Sequence, residues 1–109
     1  MSDSVCLPNE LREFINSCSW TFAKTMPKWP HEYIVRGQVD ESLFLRLVHH
    51  IRQHGYEGNF YRRKITYFDH DGMVYWTMRS PISETIIINR CKKGDSYAYR
   101  LLNNTLPAD

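Results

Sequence analysis

Two hydrophobic rhythms divide this chain, a helical one before residue 55 and a two-residue one after it. Leu11, Phe14, Ile15, Cys18 and Phe22 recur at three- and four-residue steps and predict a helix over 9–24. Pro8 fits its first turn, and the two prolines of TMPKWP close it, because proline cannot continue a helical ladder. A second helix is better defined. Asp40 stands where a cap belongs, Leu43, Phe44, Leu47, Val48 and Ile51 form one apolar stripe, and Gly55 is expected to end it in a left-handed conformation.

Beyond Gly55 the runs NFYRRKITYF, MVYWTM, TIIINR and YAYRLL are rich in β-formers, with turn signals at DHDG, RSPIS and KKGD between them. Asp71-Gly72 between two alternating runs signals a hairpin. With HEYIVR as a first strand, the predicted order is α-β-α-β-β-β-β. Short connections favour a meander. The expected fold is therefore one α+β domain over 1–109, with two helices packed on one face of a largely antiparallel five-stranded sheet. The other face would then be open, which invites binding there. Alternation sets His31, Tyr33 and Val35 against Glu32, Ile34 and Arg36, and Val74, Trp76 and Met78 against Met73, Tyr75 and Thr77. It also sets Ile86, Ile88 and Arg90 against Thr85, Ile87 and Asn89. A slip of one residue would exchange these faces.

Composition narrows the function classes only a little. A chain of 109 residues, 42% hydrophobic and 24% charged, is an ordinary globular domain with room for one core. The aromatic share is high, 14%, and Tyr and Trp are favoured where one edge is wet and the other packed. A net charge of +2 is too small to predict nucleic-acid binding by itself. Three widely spaced cysteines without a CxxC argue against both a disulfide framework and a thiolate metal site, and fit a reducing compartment. MSDSVCLPNE lacks the basic start and apolar stretch of a signal peptide, and no run has the length of a membrane span, so a cytoplasmic protein is expected.

Several groups of residues can carry chemistry. In PHEYIVR and at the end of TIIINR, His31, Tyr33, Arg36, Asn89 and Arg90 bring together an imidazole, a phenol, an amide and two guanidiniums. Arginine grips phosphate or carboxylate through paired hydrogen bonds, histidine exchanges a proton near neutral pH, and tyrosine stacks while keeping a donor. Taken singly, each also has an ordinary role as a packed ring, an edge charge or a backbone-bonded imidazole. Trp20, Trp29, Tyr75 and Trp76, with Phe60 and Tyr61 beside Arg62, Arg63 and Lys64, suit base stacking beside phosphate contacts, although large aromatics in a small domain more often fill its core. His50 and His54 stand one helical turn apart, but two ligands do not make a metal site, so no metal or cofactor is expected. The aspartates of DHDG are explained by the turn. No phosphate loop, nucleophile elbow or dinucleotide fingerprint occurs.

The blocks MPKWPHEYIVR, YWTM and TIIINR, which span roughly residues 20–92, resemble those of short bacterial proteins of accessory or mobile-element character. That resemblance implies a bacterial or phage cytosolic domain and carries no settled activity with it. On the residues themselves the leading expectation is a binding domain for a nucleotide or a nucleic-acid strand. Arg36, Arg62 and Arg90 would hold phosphate, Trp29, Tyr33 and Tyr75 would stack, and His31 and Asn89 would hydrogen-bond the ligand. A second expectation is a small enzyme acting on a phosphoester or glycosidic bond, with His31 as general acid or base, Tyr33 or Glu32 assisting, and Arg36 and Arg90 stabilising charge. A third is a protein-interaction module, such as an antitoxin or an inhibitor of a defence complex, since exposed aromatics and arginines also make protein hot spots.

Overall fold

The computed structural model describes residues 6–23, 31–60, 63–79 and 84–92. Helix α1 (Asn9–Ser17) and helix α2 (Glu41–His54) accompany strands β1 (Thr21–Ala23), β2 (His31–Val35), β3 (Tyr56–Phe60), β4 (Arg63–His70), β5 (Met73–Arg79) and β6 (Ile86–Lys92). The strands form one antiparallel sheet in the order β1-β2-β6-β5-β4-β3. The α+β class and the meander from β3 to β6 match expectation, but the sheet has six strands and not five. The run NFYRRKITYF divides into the facing strands β3 and β4, and β1 comes from residues assigned to the first helix. The YAYRLL run lies outside the described residues.

Helix α1 stops at Ser17, earlier than its apolar spacing suggests. Cys18 is already extended, and its N–H still donates to the Phe14 carbonyl at 3.1 Å. The following Trp-Thr-Phe favours a strand, so Phe22 belongs to an edge strand and not to the helical stripe. Helix α2 starts as expected, with the Asp40 carboxylate accepting from the Leu43 N–H at 3.0 Å. Its end differs in mechanism. Gly55 has φ −85° and ψ 179°, which is extended and not left-handed. Glycine is required there for room, because a Cβ would sit 2.4 Å from the carbonyl oxygens of both Ile51 and Tyr67. The β4–β5 hairpin does use the left-handed region, at Asp71 (φ 52°) and Gly72 (φ 78°), as a tight primed turn demands.

Both faces of the sheet bury a cluster of side chains at their centre. On one, Ile34, Phe68, Tyr75 and Ile88 pack with Leu11, Phe14 and Ile15 of α1 and Phe44, Leu47, Val48 and Ile51 of α2. On the other, Ile65, Tyr67, Val74, Trp76 and Cys91 form a second core, with Trp76 0% exposed. The expected open face is thus closed at its centre. The alternation assigned from sequence does hold: Tyr33 faces Asn89 and Trp76, while Glu32 faces Arg90 and Tyr75. No helix among the described residues is long and apolar enough to cross a membrane.

Gly55→Ala is expected to lower stability by about 2–3 kcal/mol, since both clashing atoms are backbone and cannot swing away. Urea denaturation measures this, and an unchanged midpoint would show that the α2–β3 junction has slack.

Candidate functional site

At the end of the sheet where β2 begins and β6 finishes, a hollow of about 320 Å3 is lined by His31, Glu32, Arg90 and Lys92, with Phe22, Met73 and Cys91 supplying apolar walls. Strand pairing builds it. Glu32 lies opposite Arg90, and Met73 lies opposite Lys92, so alternation along β6 sends Arg90 and Lys92 to the same face. Phe22, opposite Glu32 on the edge strand β1, keeps 52% of its surface exposed.

Arg90 is the best-anchored charge in the hollow. Its Nε donates to the Glu32 carboxylate at 2.7 Å, and the two side chains are 20% and 35% exposed. Its guanidinium carbon lies 4.2 Å from the Trp20 ring centroid, a cation–π stack. The Trp20 indole N–H donates at 3.0 Å to the Ile15 carbonyl, so the end of α1 fixes the ring that covers Arg90. Trp20 also meets Tyr75 edge-on, with ring centroids 6.0 Å apart. Burial pushes the Tyr75 phenol upward, against a hydrogen bond from Arg90 and the arginine's charge. Burial likewise raises the Cys18 thiol, and the positive charge of Arg90 opposes it.

Of the residues singled out in the sequence, the hollow gathers His31, Glu32 and Arg90. The others separate from it for identifiable reasons. Tyr33 and Asn89 pair across β2 and β6 on the opposite face, where Asn89 is 1% exposed and its amide nitrogen has no hydrogen-bond partner among the described residues. Tyr75 is buried beneath the helical layer and offers no free ring to a base. Arg36, at the far end of β2, holds Glu41 in the first turn of α2 through its Nε at 3.0 Å. Trp29 and Arg62 lie outside the described residues. His31 reaches both surroundings, since its ring centroid is also 5.9 Å from that of Trp76.

Sequence reasoning missed Phe22, Met73 and Lys92. Lys92 was findable, two residues beyond Arg90 and hence on its face of the strand. Phe22 was hidden by a spacing that suited the helix. The His50–His54 pair does form, with centroids 4.7 Å apart, but among the described residues no three potential ligands gather to hold a metal ion. His50 instead stacks edge-on against Phe68 at 5.0 Å, and its buried Nε2 has no hydrogen-bond partner among the described residues. No protein-family profile, curated protein or solved structure matches this chain.

Two outcomes are expected. Glu32→Ala leaves a largely buried guanidinium without its carboxylate and is expected to cost about 2 kcal/mol, whereas in an Arg90→Met background the same change costs little. Equal losses in the two backgrounds would mean the ion pair contributes nothing. The second concerns His50, whose imidazole is held below its ordinary value of 6.5, chiefly by burial and then by His54, His49 and His70. The folded state therefore binds fewer protons than the unfolded chain, so this contribution is intact above pH 6.5 and is lost as pH falls from there towards the folded value. Urea midpoints for the native protein should drop more steeply between pH 7 and pH 5 than those of His50→Leu. Parallel curves would assign the acid sensitivity to other groups.

Proposed function

We propose that this chain binds a nucleotide or a short nucleic-acid strand at the hollow formed by the ends of β2 and β6. The observation that carries the reading is the composition of its wall among the described residues: two cations, Arg90 and Lys92, against one carboxylate, Glu32, with an exposed ring at Phe22 and an imidazole at His31. Arg90 spends its Nε on Glu32 and also hydrogen-bonds Tyr75, and the remaining N–H groups of its five-donor guanidinium can serve a ligand. Lys92 supplies a compact charge suited to a phosphate oxygen. Phe22 stacks the base, a contact worth about 1–3 kcal/mol. His31 hydrogen-bonds the sugar or base edge. The resemblance of the PHEYIVR, YWTM and TIIINR blocks to short bacterial accessory proteins belongs to the same proposal.

Hydrolytic chemistry at this place is less well served. The carboxylate beside His31 already accepts from Arg90, so it is poorly placed to take a proton from water. A protein partner is favoured by one feature, the exposed Phe22 on a strand at the sheet edge.

Fluorescence anisotropy with a labelled single strand of about ten nucleotides tests the reading. Two phosphate contacts predict a log–log salt slope of about −1.4, and Lys92→Ala should roughly halve it. Phe22→Ala should weaken binding by about tenfold at every salt concentration. Absence of binding to the strand and to mononucleotides, or binding indifferent to salt, would remove the proposal. Co-purification of a defined protein in its place would give the same face to a protein partner.

A further inference from the structure

A second hollow, about 550 Å3, lies between the C-terminal end of α1 and the N-terminal end of α2. Its volume is in the range of small-molecule sites, roughly 300–1,000 Å3. Phe14, Ile34, Val39 and Leu43 line it with apolar surface, and Cys18 stands in the wall. Its electrostatics are opposite to those of the first hollow. Among the described residues no lysine, arginine or histidine lines it, and Asp40 is the charged residue that does.

One oxygen of the exposed Asp40 carboxylate accepts from Leu43 N–H, and no other hydrogen bond to this carboxylate is present among the described residues. The partial negative charge of the α1 C-terminus falls on the same opening. Arg36, the nearby cation in sequence, is already held by Glu41 and does not line the hollow. The positive N-terminal end of α2 offsets part of this, but the full charge of Asp40 together with the α1 carbonyl dipoles leaves the described lining negative on balance. A cation would meet the Asp40 carboxylate beside the hydroxyls of Ser17, Ser19 and Thr21 and the apolar side chains of Val39 and Leu43.

We propose that this hollow binds an organic cation with an apolar body, its ammonium group on Asp40 and its body against Phe14, Ile34 and Leu43. The site is separate from the end-of-sheet hollow, so the failure of either reading leaves the other standing.

The probes are 2-phenylethylamine and its neutral counterpart 2-phenylethanol, titrated into the full chain and followed by NMR. The test variant is Asp40→Asn, because asparagine caps a helix about as well as aspartate and removes only the charge. The amine is expected to bind about tenfold more tightly than the alcohol to the native protein, the size of one charge-assisted hydrogen bond, and the ratio should fall to near one in Asp40→Asn. In a Cys6→Ser background the amine should also slow alkylation of the half-exposed Cys18 by iodoacetamide, while Cys91 is buried. The proposal is overturned by an amine-to-alcohol ratio that survives Asp40→Asn, by binding that leaves Cys18 unprotected, or by no binding of the amine up to roughly 10 mM.

Discussion

Pairing of β5 with β6 sets Trp76 opposite Asn89 and Tyr75 opposite Arg90, and the need to bury both faces of that pair shapes the rest of the molecule. Apolar burial contributes about 25 cal/mol per Å2, so large side chains on both faces of a central strand dominate the stabilisation of a small domain. Tyr75 directs one face beneath α1 and α2, and Trp76 directs the other into the second core. Polar residues on these strands must then find partners inside or emerge at the ends. Asn89 does neither fully, and its amide nitrogen lies buried without a partner among the described residues. Arg90 does both, since it is held by Glu32 and Trp20 and still borders the hollow at the sheet's end.

This arrangement gives Arg90 a double character. A guanidinium fixed by a carboxylate and a stacked indole loses little freedom when a further acceptor arrives, which favours binding. Its charge is also partly cancelled, so the neighbouring Lys92 supplies the less compensated field. Trp20 connects the site to the core, because the indole that covers Arg90 also closes a carbonyl at the end of α1. Loosening of that helix end would therefore be felt in the hollow.

The ends of the elements sort charge across the surface. Where β2 begins and β6 ends, two cations gather around apolar walls. Where α1 ends and α2 begins, a carboxylate caps one helix beside the negative end of the other. One small sheet thus presents two hollows whose described linings differ in charge, both reached from β2, which sends His31 and Glu32 to one and Ile34 to the other.

Alternation and turn chemistry were legible by themselves. Asp71-Gly72 demanded a hairpin, Asp40 demanded a helix start, and the two-residue period separated Tyr33 from Glu32 and Asn89 from Arg90 within their strands. These features depend on residues near one another in the chain, so local sterics and hydrogen bonding determine them. The end of α1, the sixth strand, the closure of the second face and the membership of the hollow were decided only in three dimensions. Phe22 fits a helical stripe until β1 finds an edge to pair with, and Gly55 looks like a left-handed stop until the Tyr67 carbonyl closes on it. His31 and Arg90 become neighbours through pairing of strands more than fifty residues apart, a contact whose energy no local segment contains.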